Sequence, residues 1–194
     1  MNQKGERIVK NLGVKAFVAI GMLSAIAYVL MLLNFPMPMF PTWLKIDFSD
    51  VPALVGAIIM GPAAGVLIEL MKNLLDIIST GSESGIPVGH IANFTTGLLF
   101  ILPTYFVYKK VQSKKGVISG LIVATIITTI GMSVLNYFVF FPMYEIFMGF
   151  KMPKLMIITA IAPFNFIKCI MISIVFIVFY NKMAERLNKM RTAF

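Results

Sequence analysis

Long apolar runs dominate this chain and leave few folds open to it. They cover residues 16–33, 51–78, 88–108, 117–141 and 155–180, separated by polar, basic or proline-rich segments. A helix rises about 1.5 Å per residue and a bilayer core is about 30 Å thick, so about 20 apolar residues make one crossing. In hydrocarbon the backbone must satisfy its own hydrogen bonds, which a helix does internally. A soluble domain would need a polar coat, yet 59% of the residues are hydrophobic and 13% charged. The runs therefore specify an all-α membrane protein with a single transmembrane domain over residues 1–194.

Charge placement gives the topology. The formal net charge is +9. Three basic clusters carry most of it: Lys4, Arg7, Lys10 and Lys15; Lys109, Lys110, Lys114 and Lys115; Lys182, Arg186, Lys189 and Arg191. Clusters beside apolar runs mark cytoplasmic segments, and no basic face remains for nucleic acid. With all three clusters inside, an even number of crossings must separate the first two. Residues 51–78 must then cross twice, turning at Gly61-Pro62. The expectation is a compact bundle of six transmembrane helices, near 13–33, 51–60, 63–79, 88–108, 117–141 and 155–180. Both termini are cytoplasmic, and the chain is a multi-pass membrane protein. The two hairpin halves are short for a bilayer and are tolerable if they pack inside the bundle. The first run continues past Ala25-Ile26-Ala27, so it reads as an uncleaved helix rather than a signal peptide.

The segment 34–50 breaks the helical pattern. Pro36, Pro38 and Pro41 exclude a regular helix, while Phe40, Trp43, Leu44 and Phe48 make the loop greasy. It reads as an extracellular lid over a site, in preference to an interfacial anchor.

Charges inside membrane segments point to function. Glu69, Lys72 and Asp76 share one helical face and can pair with one another, either as a self-neutralised structural cluster or as a proton relay. Lys168 lies deep in the last run with no acid within one turn, and Asn165 shares its face. Asn136 lies in the fifth helix. Such groups need partners in hydrocarbon, so they either bond across helices or line a wet pocket. Cys169 stands alone, and His90 reads as a helix-start or loop histidine rather than a metal ligand. The sequence holds no phosphate-binding G-x-x-x-x-G-K-[ST] loop and no arguable catalytic set, so the chain is read as no enzyme. Gly21 and Ala25, among other small residues of the first helix, offer a smooth surface for a second membrane protein.

The stretch KNLLDIISTGSESGIPVGHIANFTTG, residues 72–97, resembles the riboflavin-specific substrate-binding components of energy-coupling-factor vitamin transporters. FPMPMFPTWLKIDFSD, SVLNYFVFFPMY and APFNFIKCIMIS extend the resemblance in the same order. It implies a six-helix bundle that captures riboflavin on the outer face. It also implies delivery through a transmembrane coupling protein and two ATP-hydrolysing subunits, with riboflavin as cargo and no cofactor. By matching position, Asn136, Asn165 and Lys168 become polar contacts, and Phe40, Trp43 and Leu44 apolar cover. Lys45 and Asn93 become further contacts. Gly21 and Ala25 occupy the place of the family's small-xxx-small docking motif, with Gly where Ala is usual. In that pocket Lys168 would donate to a ligand carbonyl or hydroxyl without a counter-ion.

Three other readings compete. A binding component for another vitamin, such as anionic biotin, would suit Lys168; thiamine, a cation, would not. A stand-alone secondary carrier would use Glu69 and Asp76. A purely structural subunit would bind nothing.

Overall fold

The computed structural model describes residues 13–82, 86–149 and 151–193. Lys4, Arg7 and Lys10 lie outside the described residues, as do the side chains of Arg186, Lys189 and Arg191.

The chain runs α1 (Val14–Leu32), β1 (Phe35–Pro36), β2 (Lys45–Ile46), α2 (Asp50–Met60), α3 (Pro62–Thr80), α4 (Val88–Val111) and α5 (Lys114–Leu135). A π-helical turn, Asn136–Phe140, joins α5 to α6 (Phe141–Met148), and a second, Ile157–Ile161, leads into α7 (Ala162–Ala193). Lys114–Met148 forms one continuous rod. With that rod taken as one, the described residues form six helices. Four segments are long and apolar enough to cross a membrane: Val14–Leu32, Val88–Val111, Lys114–Met148 and Ile157–Lys182.

The short α2 is explained by where it sits. It packs against α1, α3, α4 and α7. All of its residues from Asp50 to Ile59 are buried. At about 1.5 Å per residue it is too short to span, but it meets protein on every side rather than lipid. Gly61 ends it with φ +103°, a left-handed backbone that disfavours any side chain. Pro62 then opens α3, at a helix start where its missing N–H costs nothing. The hairpin expected at Gly61-Pro62 is therefore present.

On α1, Ala16, Ile20, Ser24, Ala27 and Met31 form a buried stripe, while Phe17, Val18, Met22, Ile26 and Val29 are exposed. That outer face suits lipid or a membrane partner.

Helix continues past two expected ends. The loop expected from Pro142 is helical to Met148, and the basic tail after Tyr180 continues α7 to Ala193. Each π-turn ends two residues before a proline, Pro142 or Pro163. Proline lacks a donor and its ring crowds the carbonyl one turn back. Widening the helix to an i→i+5 pattern, as in Phe141 N–H to Asn136 O and Ala162 N–H to Ile157 O, lets it continue past the obstruction.

Candidate ligand-binding site

The loop between α1 and α2 is held by its own apolar side chains. β1 and β2 pair antiparallel, Phe35 opposite Ile46. Leu44 and Ile46 pack into a cluster with Phe141, Ile157, Ile161 and Phe164. Phe40 meets Phe164 edge-on, with ring centroids 5.9 Å apart. The loop thus lies over the starts of α6 and α7. Trp43 and Lys45 are exposed on its outside.

The polar residues singled out from the sequence lie on the two helices that this cover meets, the Lys114–Met148 rod and α7. Asn136, Asn165 and Lys168 are all buried. The Asn136 amide nitrogen donates to Met132 O and that of Asn165 to Ile161 O, both at 2.8 Å. Each bond ties one amide hydrogen to its own helix. Each amide keeps its second N–H and its oxygen lone pairs for other partners. Lys168 Nζ lies 3.4 Å from Asn93 Oδ1, which joins α7 to α4. Asn93 Nδ2 in turn reaches Met31 Sδ at the end of α1.

Lys168 is not without a counter-ion. Asp47 Oδ2 lies 3.3 Å from its Nζ, and both side chains are about 6% exposed. The expectation of an unpaired ammonium is corrected by this carboxylate from the loop. Burial would by itself raise the Asp47 pKa. The charges of Lys168 and Lys72 and two hydrogen bonds from Ser49 outweigh burial and hold the carboxyl at about 2, below its ordinary 3.8.

A second charge group adjoins the first. Lys72, fully buried, donates to Ser49 Oγ at 2.7 Å and to Asp50 Oδ1. Ser49 donates through its hydroxyl and its backbone N–H to Asp47 Oδ1. Glu69 Oε1 is 2.8 Å from Lys72 Nζ, a buried ion pair within α3. Gly97 of α4 faces the Glu69 carboxylate so closely that any side chain there would collide with it. The triad expected from Glu69, Lys72 and Asp76 is corrected in part. Asp76 leaves it and pairs with His90 Nε2 at 2.9 Å, linking α3 to the first turn of α4. Among the described residues no group of three or more His, Cys, Asp or Glu could hold a metal.

A separate open cavity of about 430 Å³ lies alongside, lined by residues including Tyr137, Phe141, Glu145, Met152 and Lys154. Phe141 is shared between its wall and the apolar cluster under the loop. Asn136, Asn165 and Lys168 do not line it.

Sequence reasoning missed Asp47, Ser49 and Asp50 as partners of Lys168 and Lys72. The signal available was their concentration at the end of an otherwise greasy loop. Gly21 and Ala25 are exposed on α1, and nothing lies within 4 Å of a Cβ built on Gly21.

Residues 15–180 match the family model described as ECF transporter, substrate-specific component. The chain is 46% identical to the riboflavin transporter FmnP of Bacillus subtilis (strain 168), over 93% of this chain and 97% of that protein. It is 45% identical to the riboflavin transporter RibU of Staphylococcus aureus (strain TCH60), over 90% and 93% of the two chains. A solved structure, described as the S component of a bacterial ECF transporter, superposes with a TM-score of 0.79 at 46% identity. It covers 89% of this chain and 97% of its own.

Proposed function

Since this chain belongs to the substrate-specific components of ECF transporters, we propose that it is the riboflavin-binding component of an uptake system in the bacterial cell membrane. It is a multi-pass membrane protein and a transporter component, not an enzyme. The identity with two proteins named riboflavin transporters carries the choice of ligand. The geometry under the loop agrees with it. Riboflavin is uncharged, with a flat ring edged by donors and acceptors and a polyhydroxyl tail. Two half-committed amides and a lysine with a spare N–H suit such an edge, and Phe40, Leu44, Phe141 and Phe164 supply apolar walls. Lys168 is neutralised by Asp47, which removes the attraction a carboxylate vitamin such as biotin would have found there.

The polar set is closed in this conformation, so riboflavin enters when residues 34–49 lift and is covered when they return. Trp43 and Lys45 belong to the outer surface of that cover. The loop end of the bundle faces outward. The basic segments at 1–15, 109–115 and 182–191 face the cytoplasm, together with both termini. Energy comes from two ATP-hydrolysing subunits acting through a transmembrane coupling protein. That protein docks on the exposed α1 face containing Gly21 and Ala25, where small residues allow close helix approach.

Uptake into proteoliposomes tests this reading. Riboflavin accumulates only when the chain is reconstituted with its coupling protein and ATPases and supplied with ATP. Accumulation by the chain alone under a proton gradient would establish a secondary carrier instead.

A further inference from the structure

The Lys168–Asp47 pair raises a question the proposed function leaves open: why a binding site for an uncharged vitamin keeps a buried ion pair. Taking two charges out of water is costly, and a buried pair is often no more stabilising than apolar packing. Lys168 alone could be replaced by a neutral donor if a hydrogen bond were all the site required. An ammonium offers three N–H donors. Asp47 Oδ2 and Asn93 Oδ1 lie 3.3 and 3.4 Å from Nζ, leaving one donor uncommitted. The other charges nearby are occupied among themselves: Lys72 with Asp50 and Glu69, and Ser49 between Lys72 and Asp47.

We infer that Asp47 is a specificity-determining positioning residue, which acts through Lys168 to make the site select an uncharged ligand group and reject an anionic one. The inference rests on the flavin reading above. An ammonium without Asp47 would attract any carboxylate or phosphate brought within a few ångströms, and strongly so in a site closed from water. With Asp47 in place, an arriving anion meets a carboxylate beside the ammonium. Attraction to one is offset by repulsion from the other, while the cost of stripping water from the anion remains. A carbonyl or hydroxyl carries no such cost and still receives the third N–H. Asp47 also aims that N–H, because its carboxylate and Asn93 take the other directions. Discrimination is thus built by a repulsive element beside the attractive one. The carboxylate is fixed in place by both Ser49 donors, so it cannot swing aside to admit an anion.

Matched flavin analogues test this without confusing charge with size. Two pairs are needed, each a carboxylate and its isosteric carboxamide, one at the ring edge and one at the end of the ribityl chain. The readout is the ratio of carboxylate Kd to carboxamide Kd for purified chain in detergent. For wild type the ratio is high for the pair whose charge meets Lys168. In Asp47→Asn that ratio falls at least about tenfold, since the ammonium is now unbalanced. In Lys168→Gln it rises at least about tenfold, since Asp47 is left unopposed. In the double variant, which leaves no unpaired charge, it returns to within about threefold of wild type. A merely structural Asp47 would weaken all four analogues alike and leave the ratios where they were. If Asp47→Asn does not fold, Lys168→Gln and the double variant carry the same test. Ratios unchanged for both pairs, in a wild type that binds riboflavin, overturn the inference and leave the flavin reading standing. A wild type that binds no riboflavin overturns both.

Discussion

Asp47 pairs with a buried lysine from a distance in sequence. It sits 121 residues from Lys168, and no periodicity or spacing rule connects the two. The polar residues of the helices were legible because each stands out in an apolar run. Their partner was not, because an aspartate in a loop looks solvated until the loop is folded over it. The same holds for Asp76, which helical spacing assigned to Lys72 and which pairs with His90 across two helices. The carboxyl of Asp47 is held at about 2 against an ordinary 3.8, which has a sign that can be checked. A carboxylate whose pKa is depressed by folding stabilises the fold above its unfolded value. That contribution is lost as pH falls from about 4 towards 2. Thermal unfolding in detergent across that window should show a larger loss of stability in wild type than in Asp47→Asn. For the ligand, Asn165→Leu and Lys168→Met should each lower riboflavin affinity at least about tenfold, because a buried ligand group loses its partner. Unchanged affinity in both, with the fold intact, would remove these residues from the site.

At the level of elements, hydrophobic length was the readable quantity. Six helices follow from apolar runs, one Gly-Pro turn and the distribution of lysines. The π-turns do not follow, since Pro142 and Pro163 read as helix ends under rules that assume a regular α-helix. Each wide turn borders a functional candidate: Asn136 begins one, and the Asn165 amide nitrogen donates to the last carbonyl of the other. Close helix approach was equally silent in sequence. A Cβ on Gly120 of α5 would stand 2.7 Å from the Thr104 carbonyl oxygen of α4, a backbone atom that cannot yield without moving the helix. Gly120→Ala should therefore destabilise the protein by about 1–3 kcal/mol, measured by unfolding in detergent. Gly21→Ala, with open space around it, should leave that stability unchanged.

The whole molecule divides into two ends joined by a buried helix. One end carries the polar set and the loop with Pro36, Pro38 and Pro41; the other carries Lys109, Lys110, Lys114 and Lys115. Placing the basic end in the cytoplasm puts the polar set towards the outside, where an uptake protein must find its cargo. Cys169 is the sole cysteine and is buried, so a cysteine introduced at the exposed Lys110 can be labelled alone. Lys110→Cys should react with a membrane-impermeant maleimide in inverted vesicles and not in intact cells. The reverse pattern would invert the topology. On the proposed reading, a neutral flavin is held among Asn136, Asn165 and Lys168. Fluorescence titration of riboflavin with the purified chain tests it most directly. Saturable quenching that ends at one riboflavin per chain is the predicted result; riboflavin fluorescence that stays unquenched at every protein concentration would contradict it.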